Sequence, residues 1–172
     1  TSATSGGGVW IPNNRYAKAE NVDDSNKDAR DYIDSVSPEG QIKDELVETY
    51  LSEGPKMIDY LHENSQVKYR NLQHYPDYFP DNPGGKAGNR SMEPEPINGT
   101  ELGDDLSKLR EQHPQTAFTM GPINMNFTQV EGQLLLGALP GWKSLFAKLF
   151  SKYILDIPMR LKWGWKDRRL TM

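Results

Sequence analysis

Apolar residues recur at helical spacing along the first part of the chain. Ser25 is a typical N-cap with acidic residues after it, so a first helix is predicted through Ile33. Ser37 caps a second predicted helix, with Pro38 in its first turn. The apolar positions of this second helix predict one buried stripe, formed by Ile42, Leu46, Tyr50 and Leu51.

Breaks in the pattern limit the remaining elements. Gly54-Pro55 is predicted to end the second helix. A short third helix follows, with the apolar positions Met57, Ile58 and Leu61. Alternation over residues 66–70 predicts a short β-strand, and a last helix is predicted over 101–112 with Pro114 as its stop. These elements predict an α+β fold that is mainly helical and loop-rich.

Between residues 71 and 100 the periodicity disappears. The stretch Tyr75-Pro-Asp-Tyr-Phe-Pro80 is followed by a segment rich in proline and glycine. Loops of this length inside a compact chain are usually either functional or disordered. Aromatic side chains among prolines favour order, so we predict an ordered, functional loop.

Residues 142–157 carry one continuous apolar face of a helix of period 3.6, and Pro158 is predicted to end it. Lysines lie on the opposite side or its edges, which is typical of a helix in a membrane interface. The helix is too short and too charged to span a bilayer. The predicted membrane contacts are Trp142, Leu145, Phe146, Leu149, Phe150 and Tyr153. An ordinary core helix with a basic outer surface is the open alternative.

The net charge of −4 conceals an asymmetry between segments. Residues 1–120 carry a net charge of −9, whereas residues 121–172 carry +5. The acidic part argues against nucleic acid as a partner, and the basic, apolar part fits an anionic lipid surface. The chain has no cysteine, which excludes disulfides and thiolate metal sites and fits a reducing compartment. We expect a cytoplasmic protein attached peripherally to the inner face of the cell membrane, and no metal site.

The first fourteen residues run from small hydroxyl residues through three consecutive glycines to Trp10-Ile-Pro12. Without Cβ atoms the backbone can approach a flat ligand and adopt positive φ. Successive free N–H groups in such a turn can form a nest for oxygen atoms. A flexible terminus without function is the alternative.

Together, these motifs resemble the bacterial 3-ketosteroid dehydrogenases, which belong to the fumarate reductase/succinate dehydrogenase class of flavoproteins. The resemblance is carried by Thr1-Ser-Ala-Thr-Ser-Gly6, Trp10-Ile-Pro12, Tyr75-Pro-Asp-Tyr78, Pro83-Gly-Gly85 and Gly88-Asn-Arg-Ser91. It implies FAD bound on a Rossmann-type nucleotide domain and a separate catalytic domain. It also implies dehydrogenation of the A ring of a 3-ketosteroid, in which a proton passes from C2 to a tyrosine base and a hydride from C1 to the flavin.

By the pattern of the family, the expected flavin contacts are Ser5, Gly6, Gly7 and Gly8. Tyr78 matches the tyrosine that lines the steroid cleft and hydrogen-bonds the base tyrosine. The expected cleft walls are Trp10, Tyr75 and Phe79. Without the resemblance, the favoured interpretation of Tyr78 is a packed loop aromatic with a satisfied hydroxyl.

The chain departs from the family's pattern in two respects. No GxGxxG fingerprint occurs, and no residue after Tyr78 matches the base tyrosine or the groups that polarise the ketone. The chain is therefore interpreted as an internal part of the enzyme. Its expected parts are a flavin-contacting loop (1–14), a helical subdomain (15–120) with the cleft loop 71–100, and an inserted amphipathic membrane-attachment segment (121–172). Its expected partners are a steroid, the remainder of the flavoprotein, a membrane surface and an external electron acceptor.

Other functions stay open. A steroid Δ4-dehydrogenase or a fumarate-reductase-like enzyme belongs to the same class. A fumarate-type site needs arginines and histidines to hold two carboxylates, whereas the aromatic, proline-rich loop is better matched to an apolar ring system. The alternative from another class is a non-catalytic membrane-interaction module whose glycine-rich start is a linker.

Overall fold

The computed structural model describes residues 7–109, 125–163 and 169–170. Two compact units divide the chain, one formed by residues 8–95 and the other by residues 96–172 together with the first seven residues. Ser5 and Gly6 therefore lie outside the described residues. The boundary between the units falls at residues 95 and 96, within the predicted loop 71–100.

The unit of residues 8–95 contains a small antiparallel sheet and three helices. The sheet has the order β1-β3-β2, with β1 at Val9–Trp10, β2 at Tyr69–Asn71 and β3 at Ser91–Pro94. The helices are α1 at Arg15–Ala19, α2 at Asn26–Val36 and α3 at Asp44–Asn64. In the register, Val9 faces Met92 and Arg70 faces Glu93.

The first predicted helix is confirmed. The Ser25 hydroxyl accepts a hydrogen bond from the Asp28 N–H at 3.1 Å and so caps α2. The prediction of a second helix opened by Ser37 is wrong, because Ser37 ends α2 and the next helix begins only at Asp44.

The prediction of a break at Gly54-Pro55 is also wrong, because α3 continues through both residues. One proline removes a single N–H from a long helix, while the buried positions Val47, Leu51 and Ile58 on either side keep one continuous stripe in the core. Gly54 allows close packing at this point, because an added Cβ would lie only 3.3 Å from Ile11 Cδ1. The glycine thus lets α3 approach the end of β1.

The predicted stripe of α3 is displaced by one position. Leu51 is buried as predicted, but Val47 takes the place of its neighbour Leu46, which is 59% exposed. Ile42 and Tyr50 are also exposed. Apolar residues occupy both sides of this helix, so spacing alone does not select the stripe that faces the core.

Strand β3 occupies a segment predicted to be irregular, and β2 begins three residues later than the predicted strand. Met92 and Glu93 are both buried, so the alternation that marks a strand with one solvated face is absent from β3. Its two partners lie far away along the chain, which leaves no local signal for the pairing.

The described part of residues 96–172 contains β4 at Ile97–Asn98, a 3₁₀ segment at Gly99–Lys108, α4 at Gln129–Leu136, α5 at Trp142–Trp163 and β5 at Arg169–Leu170. Strands β4 and β5 pair antiparallel. As far as Lys108, the 3₁₀ segment replaces the α-helix predicted over 101–112, and Gly103 has non-helical dihedral angles inside it. Residues 110–112 and the predicted stop Pro114 lie outside the described residues.

One helix of this unit was missed, and one predicted helix end is wrong. Helix α4 was not predicted, although Thr128 and Glu131 form a capping box at its start. Helix α5 continues through Pro158 and ends at Trp163. A buried cluster of Met125, Phe127 and Leu149 packs the part of α5 before the proline against the segment that leads into α4. Beyond the proline, the side chain of Arg160 is buried.

Candidate functional site

Tyr78 projects from a loop whose neighbouring residues are fixed. Its side chain is 84% exposed, and its hydroxyl has no hydrogen-bond partner among the described residues. Asp77, directly before it, is buried, and the N–H of Phe79, directly after it, donates to the Tyr32 hydroxyl at 3.3 Å. The structure thus presents this tyrosine outwards from a well-anchored backbone.

The Asp77 carboxylate has a donor on each oxygen. Oδ1 accepts from the Trp10 indole Nε1–H at 2.7 Å. Oδ2 accepts from the Lys86 N–H at 3.0 Å and from Arg90 Nη1 at 2.9 Å. The Asp77 N–H in turn donates to the Lys86 carbonyl at 3.0 Å. These bonds close the loop between residues 77 and 86 on itself and join it to β1.

Arg90 is the buried cation of this region, with only 1% of its side chain exposed. It bridges Asp77 to Asp24, whose Oδ1 lies 2.7 Å from Arg90 Nη2. Its guanidinium carbon also lies 5.5 Å from the Trp10 ring centroid and 5.8 Å from that of Tyr32. Asp24 is satisfied further by the backbone N–H groups of Asn13 and Ser25. A buried ion pair with every partner satisfied can persist in a low-dielectric interior.

Three glycines of the motif allow close backbone approach in this loop. A Cβ on Gly84 would lie 1.9 Å from the Asp28 carbonyl oxygen, and one on Gly88 would lie 2.0 Å from that of Gln73. A Cβ on Gly85 would lie 2.5 Å from the Pro80 carbonyl oxygen. The glycines that carry the sequence resemblance therefore support the loop that presents Tyr78.

Two pKa shifts follow from the surroundings of this region. The hydrogen bond from Lys86 Nζ to Asp28 Oδ2, at 3.1 Å, holds the pKa of that carboxyl below its usual value. Burial raises the pKa of the Tyr50 hydroxyl, and this hydroxyl donates to the Trp10 carbonyl. Trp10 thus has its carbonyl, its indole N–H and its ring all engaged.

The expected cofactor loop is described only from Gly7 onwards. Gly7 has a φ of 61°, in the left-handed region that favours glycine, and both Gly7 and Gly8 are exposed. A Cβ on Gly8 would stand 3.4 Å from the Met92 carbonyl oxygen. Bare, exposed backbone without side chains fits the approach of a flat ring system such as a flavin.

The expected cleft residues differ in their surroundings. Trp10 is half-buried between Tyr32 and Tyr50, with ring centroids 5.9 Å and 6.3 Å away. Tyr75 is half-buried and Phe79 is 58% exposed. Of this set, the structure joins Trp10 to the Tyr78 loop through Asp77. The cleft roles of Trp10, Tyr75 and Phe79 stay predictions.

Sequence reasoning gave no role to Asp24, Asp77 or Arg90. Asp77 and Arg90 stand inside two of the motifs that carry the resemblance, and that position is the signal that could have singled them out. Asp24 gives no such signal, because it follows another aspartate in a polar connector. Its partner Arg90 is 66 residues away along the chain.

The six predicted membrane contacts lie on different sides of α5. Leu149 is buried, and Leu145 and Tyr153 pack against its core cluster. Phe146 and Phe150 are each 40% exposed and stack with ring centroids 6.0 Å apart. Trp142 is half-buried, with Lys143 Nζ 5.8 Å from its ring centroid. Core packing therefore accounts for part of the apolar face.

The unit of residues 96–172 also holds an open cavity of about 460 Å³ between β4 and α5. Its lining includes Ile97, Leu149, Tyr153 and the ion-paired Asp156 and Arg160. Across residues 7–109, 125–163 and 169–170, no helix is both long and apolar enough to cross a membrane. The same residues contain no group of three or more histidines and carboxylates arranged to hold a metal ion.

Comparison with known proteins supports the resemblance. The FAD binding domain family matches residues 1–144. A 3-oxosteroid 1-dehydrogenase of Mycolicibacterium smegmatis is 35% identical over 130 residues, covering 76% of this chain and 23% of that protein. A 4-oxocyclohexanecarboxylate 2-dehydrogenase of Sinomonas cyclohexanicum is 34% identical over 120 residues, covering 70% of this chain and 21% of that protein.

A solved structure matches nearly the whole chain. It is the 3-ketosteroid delta1-dehydrogenase of Sterolibacterium denitrificans in complex with 1,4-androstadiene-3,17-dione, with a TM-score of 0.86 and 34% identity. The match covers 99% of this chain and 29% of that one. The chain thus spans under a third of the length of these relatives. The resemblance and the assignment of FAD as cofactor are confirmed, and this chain belongs to the FAD binding domain family, with similarity to the 3-oxosteroid 1-dehydrogenases.

Proposed function

We propose that the chain is part of an FAD-dependent dehydrogenase that removes hydrogen from C1 and C2 of the A ring of a 3-ketosteroid. The observation that carries the proposal is Tyr78, whose exposed hydroxyl stands between two anchored neighbours. Relatives named for 3-oxosteroids and a related structure with a bound steroid support the substrate class.

The proposed reaction requires two contributions from this chain, contact with the flavin and a hydrogen bond to the base. Its glycine-rich start, Ser5 to Gly8, would lie along the flavin, and FAD when bound supplies the acceptor for the hydride from C1. The carbonyl group makes the C2 hydrogens acidic enough for a base to remove. Tyr78 donates its hydroxyl hydrogen bond to the base tyrosine, which the remainder of the protein supplies. A hydrogen bond to the charged form lowers the pKa of that base towards working pH.

The surface around Tyr78 suits an apolar ring system. Phe79 is 58% exposed directly beside it, and prolines at positions 76 and 80 stiffen the loop on either side. Exposed aromatic faces on a rigid loop can enclose a flat apolar substrate with little loss of conformational entropy.

The test is Tyr78→Phe in the complete flavoprotein, because it removes only the hydroxyl. A hydrogen bond to a charged group contributes about 1.5–3 kcal/mol, so kcat should fall roughly 10- to 100-fold. The flavin absorbance spectrum should stay unchanged. Tyr60→Phe is the matched control, since Tyr60 is also exposed but lies on α3. Equal turnover in the two variants would reject the role of Tyr78.

A smaller cyclic ketone is the second candidate substrate. The relative named 4-oxocyclohexanecarboxylate 2-dehydrogenase is 34% identical over 120 residues, about as similar as the steroid enzyme. Both named substrates contain a ring ketone. Initial rates of the complete protein with each substrate separate the two candidates. NMR of the steroid product distinguishes C1–C2 from C4–C5 desaturation, and a colourless purified protein would favour a non-catalytic module.

The proposal includes peripheral attachment to the inner face of the cell membrane through α5. The exposed pair Phe146 and Phe150 provides apolar contact, and near-surface lysines each add about 1 kcal/mol with anionic lipids. Phe150→Glu in the complete protein should reduce flotation with anionic vesicles. Ser151→Glu, which adds the same charge at an exposed polar position, is the control. If both variants float with the vesicles to the same extent as the unmodified protein, attachment through α5 is refuted.

A further inference from the structure

The hydrogen bond between Trp10 and Asp77 joins two functional segments that lie 67 residues apart along the chain. Trp10 ends β1, which directly follows the glycine-rich start. Asp77 directly precedes Tyr78. The bond, at 2.7 Å from Nε1 to Oδ1, therefore links the segment assigned to the cofactor with the segment that carries the cleft tyrosine.

Both ends of this bond are held in place. The Trp10 ring packs between Tyr32 and Tyr50 and beneath the Arg90 guanidinium. The second carboxylate oxygen of Asp77 is occupied by Lys86 and Arg90. A charge-assisted bond between two fixed groups transmits position, because neither partner can reorient without breaking other contacts.

Tyr78 depends on its neighbours for its location. Its own side chain is 84% exposed, so packing does not fix it. The backbone is held on one side by Asp77 and on the other by the bond from Phe79 to Tyr32. Misplacing a reacting group by about 1 Å can cost roughly 100-fold in rate.

We propose that Trp10 and Asp77 form a brace that sets the position of Tyr78 relative to β1, the strand that follows directly after Gly8. They are positioning residues, and the inference rests on the role proposed for Tyr78. The brace gives Trp10 a second function beside packing, through its indole N–H.

The experiment uses Trp10→Phe in the complete, flavin-loaded protein. Phenylalanine keeps an aromatic ring between Tyr32 and Tyr50 but cannot donate to Asp77. Kcat should fall roughly 10- to 100-fold with a smaller change in KM. Deuterium exchange of the peptide covering residues 75–88 should become faster. Tyr60→Phe, which changes an exposed aromatic residue on α3, is the control for both readouts.

A double-mutant cycle shows whether Trp10 acts through Tyr78. In the Tyr78→Phe background, Trp10→Phe should lower kcat less than threefold, because the hydroxyl it positions is already gone. Multiplicative losses would overturn the proposal. Unchanged kcat and unchanged exchange in Trp10→Phe would also overturn it.

The result distinguishes failure of the brace from failure of the proposed function. If Tyr78→Phe has normal turnover, the proposed role of Tyr78 is refuted. The prediction that Trp10→Phe lowers kcat by displacing Tyr78 is then refuted as well. Faster exchange of residues 75–88 in Trp10→Phe would then still support the mechanical link itself. If Trp10→Phe loses flavin or fails to fold, benzothienylalanine at position 10 keeps the bicyclic shape without the N–H. Unchanged exchange and kcat in that variant would overturn the brace.

Discussion

Arg90, the buried arginine that contacts Asp77 next to Tyr78, gives the sharpest test of how the unit of residues 8–95 is stabilised. Arg90→Met removes a cation that is 1% exposed and that bridges Asp24 and Asp77, themselves 3% and 2% exposed. Methionine keeps a flexible, unbranched apolar stem as far as the position of Nε. The change therefore removes the charge and the hydrogen bonds of the guanidinium, together with the volume of its outer atoms, and keeps the packing of the stem.

The expected loss is large because two buried carboxylates lose their counterion. Breaking a buried ion pair by removing one partner costs about 3–5 kcal/mol. Arg15 is the matched control, since it also contacts two carboxylates, Asp59 and Glu63, at 3.3 and 3.2 Å. Its side chain is 32% exposed and its partners are more exposed still. Exposed pairs contribute about 0–1 kcal/mol, so Arg15→Met should have little effect.

Native-state hydrogen exchange in the complete protein measures the local free energy of unfolding directly. The Ile11 N–H donates to the Arg90 carbonyl and the Leu72 N–H donates to the Ser91 carbonyl, so both amides report on this region. Arg90→Met should accelerate their exchange by roughly 10²- to 10⁴-fold, and Arg15→Met by less than about tenfold. We expect burial, and not the number of ion pairs, to determine how much each arginine contributes to the local free energy of unfolding. Similar acceleration of exchange in the two variants would refute this expectation.

Three further predictions concern other parts of the chain. Gly84→Ala should lower the thermal midpoint of unfolding much more than Gly40→Ala. Both glycines have positive φ, but only at Gly84 would the added Cβ lie 1.9 Å from a carbonyl oxygen. The lowered pKa of Asp28 means that its bond to Lys86 stabilises the fold above the ordinary carboxyl pKa and is lost as the pH falls through the lowered value. Asp28→Asn should therefore flatten the acid decline of the thermal midpoint, and an unchanged decline would contradict this. Thr128→Ala should destabilise α4 by about 1 kcal/mol, measured by exchange of its amides, because the capping box is lost.

The sequence predicted those features whose signals are local. Ser25 begins a helix because its side chain caps the N–H three residues later, and that pattern is visible within four residues. The motif residues around Tyr78 identified the family because their order and spacing are specific. The break at Pro55 and the end at Pro158 were wrong because tertiary contacts outweigh the loss of one helical hydrogen bond.

The amino-acid sequence by itself determined the family, the cofactor class and the segment that carries Tyr78. Only the tertiary structure decided what holds that segment, because the contacts join residues that are far apart in the chain: Asp24 with Arg90, and Trp10 with Asp77. The same holds for α5, where burial of Leu149 and exposure of Phe150 depend on what packs against each side. A periodic apolar pattern predicts that one face of a helix is apolar. Whether that face is buried or exposed depends on which residues pack against it.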